Sequence, residues 1–203
     1  MTLETVNIGL LGENCYLLST EKAVVIIDPG MADTRVLEFL EENKGKQIAV
    51  LLTHCHFDHI GGVEKICSLF KAKVIIGEKE ADGLNDPDVN LSHRFHYRLG
   101  KIIPDMLLSD GEKFSVGDIN FEAILVPGHT VGGMCYKTED MLFTGDTLFY
   151  STIGRTDFIG GDADALISTL KKIVNSNTNL KVYPGHGPDT TLFYERDNNS
   201  FLK

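Results

Sequence analysis

Residues 53–62 read THCHFDHIGG, and three of the chain's seven histidines, His54, His56 and His59, fall inside it together with Asp58. In an extended chain successive side chains alternate between faces, so His54, His56 and Asp58 share one face while Cys55 and Phe57 take the other. His59 breaks the alternation. A turn at Asp58–His59, followed by Gly61 and Gly62, aims Asp58 and His59 at a second point beside the first. Imidazole nitrogens mixed with carboxylate oxygens suit zinc, at roughly 2.0–2.2 Å per bond. A closed structural zinc site commonly draws on cysteine, and no cysteine stands among these candidate ligands. The bland alternative is a histidine-rich surface loop, and the rest of the chain decides against it.

Outward from this stretch, short β-branched runs read as buried strands: AVVIID (23–28), IAVLLT (48–53), KVIIG (73–77), FEAILV (121–126), MLFTG (141–145) and LKVYPG (180–185). Between them apolar residues recur at helical spacing: Val36, Leu37 and Leu40; Val63, Ile66, Leu69 and Phe70; Leu166, Leu170, Ile173 and Val174. Asp33 and Asp162 stand where N-caps belong. His54 follows the second run, His129 the fourth, Asp146 the fifth and His186 the sixth. Strands of a packed sheet stop at a common rim, so four strand ends deliver possible ligands to one place on a rigid support.

The 203 residues contain no repeat, low-complexity tract or Pro/Ser-rich linker, and one domain built on two layers of strands is the expectation. A 42% hydrophobic and 24% charged composition is that of a globular chain rather than a disordered one. The net charge of −10 opposes a sequence-independent grip on nucleic acid or an anionic membrane surface. No apolar run is long enough to cross a bilayer and MTLETVNIGL lacks a signal core, which makes cytoplasmic the default location. Cys15, Cys55, Cys67 and Cys135 form no CxxC pair, as expected of reduced thiols.

THCHFDH (53–59), PGHT (127–130), FTGDT (143–147) and YPGHGP (183–188) together resemble the metallo-β-lactamase-fold hydrolases, and within them the short bacterial glyoxalase II-like (hydroxyacylglutathione hydrolase-like) proteins. GENCYLL (12–18), IDPG (27–30), GRTDF (154–158) and GHGPDTT (185–191) extend the likeness over most of the chain. The resemblance implies an α/β fold, a four-layer αββα sandwich of two mixed β-sheets flanked by helices, with residues 1–203 as one domain. It implies two divalent metal ions, Zn2+ before Fe or Mn. His54, His56 and His129 would hold one, Asp58, His59 and His186 the other, and Asp146 would bridge them, each of its oxygens facing a different ion. Most β-lactamases of the main group have cysteine where Asp146 stands, which argues against antibiotic hydrolysis. The flavo-diiron branch has an acidic residue where His56 stands, and is excluded.

The activity so implied is cleavage of a thioester by a metal-bridging hydroxide, with a small-molecule hydroxyacyl-thiol such as S-lactoylglutathione as substrate. Asp58 would take the water proton, and a thiolate leaves without a strong general acid. The alternative is a mononuclear iron persulfide dioxygenase of the same fold on His54, His129 and Asp146, and a non-catalytic metal-binding module comes third. Full-length glyoxalase II carries a helical C-terminal domain that contacts glutathione, whereas about seventeen residues follow His186 here, so the thiol carrier stays open. So does the oligomeric state. For Arg155 two readings stand together: a fork for a substrate carboxylate, or a brace for its loop with Asp157. LSHRFHYRLG (91–100) is either a cationic, aromatic rim or a solvated face. Asp28 either orients a histidine or makes an Asp-Pro-Gly turn. Cys55 is a small buried packer beside two candidate ligands.

Overall fold

The central strands are apolar on both sides because both sides are covered. The computed structural model describes residues 1–9 and 11–203. In β3 (Ala23–Ile27) and β4 (Gln47–Leu52), Val24, Ile26, Val50 and Leu52 face one cluster while Val25, Ile27, Ala49 and Leu51 face another. Such strands read as unbroken runs instead of alternating ones. They sit in a six-stranded sheet with β1 (Thr2–Ile8), β2 (Glu13–Ser19), β5 (Lys73–Gly77) and β6 (Met106–Leu108), in sequential order. The β1–β2–β3 pairings are antiparallel and the remainder parallel, so the sheet is mixed.

The second sheet contains β7 (Lys113–Val116), β8 (Ile119–Leu125), β9 (Met134–Thr138) and β10 (Met141–Gly145). After a two-stranded hairpin of β11 (Leu148–Phe149) and β12 (Thr152–Ile153), the sheet is completed by β13 (Lys181–Pro184) and β14 (Thr190–Thr191), in the order β14-β13-β10-β9-β8-β7. Only β10 and β13 run parallel within it. Phe121, Ala123, Tyr136 and Phe143 of this sheet meet Tyr16, Leu18, Val25 and Leu51 of the first in the middle of the molecule. Outside the first sheet lie α1 (Thr34–Glu42), α2 (Phe57–Ile60) and α3 (Val63–Phe70). Outside the second lie α4 (Ala163–Val174) and α5 (Leu192–Asn198). The order is α, β, β, α, as the resemblance implies.

Asp33 and Asp162 cap α1 and α4, their side chains accepting from the amides of Arg35 and Ala165. Leu69 departs from the apolar reading of α3: it is half exposed, while Val63 and Ile66, with Cys67 and Phe70 partly buried, pack against the core beside the first sheet. The β1–β2 hairpin, β6, β7 and β9 lie outside the predicted runs; Glu13 and Asn14 in β2 and Lys137 in β9 interrupt the apolar pattern even though both strands are almost wholly buried. All four cysteines are free. Among the described residues no helix is long and apolar enough to cross a membrane.

The sheets are fastened to one another where β4, β9 and β13 end. The Tyr136 hydroxyl, fully buried, donates to Leu52 O at 2.7 Å; Met134 N–H donates to Thr53 O at 2.8 Å and Asn14 N–H to Gly185 O at 2.7 Å. Tyr136→Phe removes one of these links and leaves a buried carbonyl short of a donor. We expect it to lower stability by about 1–2 kcal/mol, read as a lower urea midpoint with unchanged slope.

Candidate metal centre

Extended backbone runs through His56 (φ −64°, ψ 144°), but residues 57–60 form the helical turn α2. Asp58 leaves the face of His54 and His56 and turns with His59 toward a separate point, so the alternation stops at His56 and the turn expected at Asp58–His59 takes over. The turn is held by His59 N–H to His56 O (2.9 Å), Phe57 N–H to Asn90 O (2.9 Å) and Gly62 N–H to Pro29 O (2.7 Å). His129 arrives on the loop after β8, Asp146 directly after β10 and His186 after β13. Gly185 is required by close approach: a Cβ there would lie 2.3 Å from Asp146 Oδ1 and 2.7 Å from His59 Cε1.

The seven residues expected from sequence gather into two groups of three and one link. Donor atoms of His54, His56 and His129 lie within 4.8 Å of one another, as do those of Asp58, His59 and His186. Asp146 joins the groups. Its Oδ2 is 3.6 Å from His129 Nε2 and 3.7 Å from His186 Nε2, and its Oδ1 is 3.3 Å from His59 Nε2. Oδ1 thus faces His59 of one group, while Oδ2 lies near His129 of the other and near His186. His54, His56, His59 and His129 are buried, while the side chains of Asp146 (13%), Asp58 (14%) and His186 (26%) keep some exposure, which marks the open side.

The hydrogen bonds around the rings fix their tautomers, as assigned from the network. Thr53 Oγ1 donates to Asp28 Oδ2 (2.6 Å), so it accepts from His54 Nδ1–H (3.0 Å). His59 Nδ1–H donates to the same Asp28 oxygen at 3.0 Å, and His129 Nδ1–H to Arg155 O at 2.8 Å. These acceptors leave the Nε2 atoms of all three rings directed inward. His54 Nε2 and His129 Nε2 each stand 3.0 Å from His56 Nδ1, which has one hydrogen at most and can satisfy only one of them. Lone pairs facing each other in a dry cluster need a cation. Nitrogens bound at 2.0–2.1 Å around a tetrahedral ion stand about 3.4 Å apart, close to this spacing. His59 Nε2 and Asp146 Oδ1 are likewise buried without a hydrogen-bond partner. The donor set thus fits a pair of metal ions.

The protonation preferences differ between the groups. Burial first, then the neighbouring His129, pushes His56 down to about 3. Burial, with His59, His56 and His129 beside it, pushes His54 well below its ordinary value. Both rings are neutral at pH 7. Burial also disfavours a charged His59, but Asp146, Asp58 and Asp28 outweigh it and hold the ring well above its ordinary value. His186 follows the same pattern: burial lowers it, yet Asp58 and Asp146 raise it overall. In Asp146 burial opposes ionisation, and His59, His129 and His186 nevertheless hold the carboxyl well below the usual range.

Asp28 thus orients His59 directly and His54 through Thr53; its backbone sits at φ 51°, so the IDPG segment makes a turn as well. Arg155 reaches the cluster by its carbonyl. Its guanidinium forks Asp157 with two bonds of 2.6 Å and lies 4.1 Å over the Phe158 ring, so a substrate carboxylate would have to displace Asp157. Phe158 packs edge-on against His56, with ring centroids 5.5 Å apart. Residues 91–100 combine both of their readings: Phe95 and Tyr97 pack on Phe57 behind α2, while His93, Arg94, His96 and Arg98 are exposed and Arg94 stands 5.7 Å from the Phe158 ring. Cys55 is buried, and burial raises its thiol well above the ordinary value, leaving it unreactive. Glu13 and Glu80, both buried, were not singled out by sequence, since a lone glutamate near a strand end has no spacing rule.

Residues 8–186 match the metallo-beta-lactamase superfamily. The chain is 33% identical to the hydroxyacylglutathione hydrolase GloC of Haemophilus influenzae, covering 100% of this chain and 98% of that protein. It superposes on the BLEG-1 B3 metallo-beta-lactamase with a TM-score of 0.91 at 36% identity, covering 99% of both chains. For TTHA1623 in a di-iron-bound form the TM-score is 0.87 at 32% identity, with 98% and 100% covered.

A metal ion entering the Asp58–His59–His186 group must displace protons that the carboxylates hold on His59 and His186, whereas burial already keeps His54 and His56 uncharged. In zinc titrations across buffers of differing ionisation enthalpy, we expect one binding step to release more protons than the other and to strengthen more steeply as pH rises through the neutral range. Two pH-independent steps would contradict this charge assignment.

Proposed function

Because the chain belongs to the metallo-beta-lactamase superfamily, we propose that it is a binuclear metallohydrolase acting on a thioester of a hydroxy acid, in the manner of glyoxalase II. The observation that carries this reading is the second group: Asp58, His59 and His186 complete a set of ligands beside His54, His56 and His129, with Asp146 between. His54, His56 and His129 would hold one ion, Asp58, His59 and His186 the other, and Asp146 both. Similarity to a hydroxyacylglutathione hydrolase over nearly the full length of both chains supports the substrate class.

Bound metals supply Lewis acidity and hydroxide at neutral pH. The chain's own residues supply order and dryness. Thr53 Oγ1, Asp28 and Arg155 O accept from the Nδ1–H of His54, His59 and His129 respectively, leaving each Nε2 directed inward. Phe158 covers His56 and His129 and keeps water from that side. Asp58, held ionised by His59 and His186 against the effect of burial, lies on the open side, where its carboxylate takes the proton of the attacking water. A departing thiolate needs no acid stronger than water, and no other acid is required here.

A persulfide dioxygenase would use His54, His129 and Asp146 alone and leave the second group without a role. Likeness to a B3 metallo-beta-lactamase means that Asp146 does not by itself exclude β-lactams, so they belong in the same test. Protein purified without added metal should contain two metal ions per chain and hydrolyse S-lactoylglutathione or a related hydroxyacyl thioester in preference to β-lactams. Asp146→Ala should lose bound metal and several orders of magnitude in turnover. One iron per chain with oxygen uptake on a persulfide, or full activity of metal-free Asp146→Ala, would overturn the proposal.

A further inference from the structure

Glu80 ends a short 3-10 turn, Glu78–Glu80, directly after β5, and its side chain is 1% exposed. No cation pairs with it among the described residues. Its carboxylate instead accepts two backbone amides: Oε2 takes Cys55 N–H at 2.9 Å and Oε1 takes Gly132 N–H at 2.7 Å. Cys55 lies between His54 and His56, and Gly132 is three residues beyond His129. The two loops leave different sheets, and one buried anion joins them.

Gly132 is shaped to this contact. A Cβ there would stand 2.5 Å from Lys79 Cβ, 3.0 Å from Lys79 C and 3.1 Å from Glu80 N, so only glycine lets the amide come so close to the turn. Hydrogen bonds to an ionised acceptor are about twice as strong as neutral ones, and burial strengthens them further. Metal sites tolerate ligand displacements of only about 0.5 Å, so what sets the separation of His129 from His54 and His56 sets the affinity of that group.

We propose that Glu80 is a positioning residue that holds the His54–His56 loop and the His129 loop at metal-binding separation, acting on the three-histidine group and not on Asp58, His59 and His186. This rests on the reading above that the three histidines take a metal ion. Glutamine at position 80 has one oxygen, so it can accept only one of the two amides, and its NH2 is driven against the other N–H. Gly132→Ala attacks the same contact from the opposite loop. Glu195 provides the control: it is fully buried and accepts from Ser151 N–H, Thr190 Oγ1 and Asn199 Nδ2, with no bond to either histidine loop.

The test is zinc affinity by chelator competition on the full chain, with stability measured in parallel. With the two zinc steps assigned by their loss in His129→Ala and in His186→Ala, we expect Glu80→Gln and Gly132→Ala each to weaken binding at the three-histidine group by 10–100-fold and to leave binding at Asp58, His59 and His186 within about two-fold. Glu195→Gln should lower stability with both affinities unchanged. If Glu80→Gln loses stability as Glu195→Gln does but keeps both affinities, the proposal fails. A wild-type chain that binds no zinc defeats the metal reading instead. Should both loop variants misfold, amide exchange of the metal-free wild type decides. The Cys55 and Gly132 amides should exchange at least about 100-fold more slowly than in an unstructured peptide, and unprotected exchange overturns the clamp.

Discussion

His54 Nε2 and His129 Nε2 each stand 3.0 Å from His56 Nδ1 in a space closed to water, with the far side of the His54 and His129 rings already committed to an acceptor. That arrangement is repulsive on its own and favourable around a cation. The surroundings are arranged to make it unavoidable. Asp28 serves two histidines at once, Arg155 contributes its carbonyl rather than its charge, and the glycine at 185 clears room for Asp146 beside His59. Each device keeps an inward nitrogen or oxygen free, and each sits on a turn that a strand end presents.

The sandwich makes this possible because its sheets are buried on both faces and cannot shift without disturbing three apolar clusters. His54 and His56 depend on the first sheet; His129, Asp146 and His186 depend on the second. The cluster is therefore an inter-sheet object, and the cross-sheet bonds of Tyr136, Met134 and Asn14 lie next to it, at the rim where the strands stop. Stability and ligand geometry share the same few contacts there.

Much of this is legible in the sequence. Strands such as KVIIG and MLFTG have the bounds read from their apolar runs, since strands covered on both faces leave no polar interruption. The placement of His54, His129, Asp146 and His186 just past such runs puts them at one rim. What sequence hides is of two kinds. The turn at Asp58–His59 is readable, but the partners that hold it, Asn90 O and Pro29 O, are remote in the chain and leave no mark in the stretch itself. Arg155 and Glu80 are hidden because their contacts run through backbone groups: a carbonyl in one case and two amides in the other have no residue signature.

The cluster is open on the side of Asp58, Asp146 and His186, while Phe158, with Arg94 and Arg155 at its ring, closes the side of His56 and His129. The central claim is that two cations share Asp146 between two groups of three ligands. Anomalous diffraction from zinc-loaded crystals tests it most directly. Two peaks roughly 3.5–4 Å apart, one beside His54, His56 and His129 and the other beside Asp58, His59 and His186, are expected. A single peak, or metal bound away from Asp146, would contradict the account.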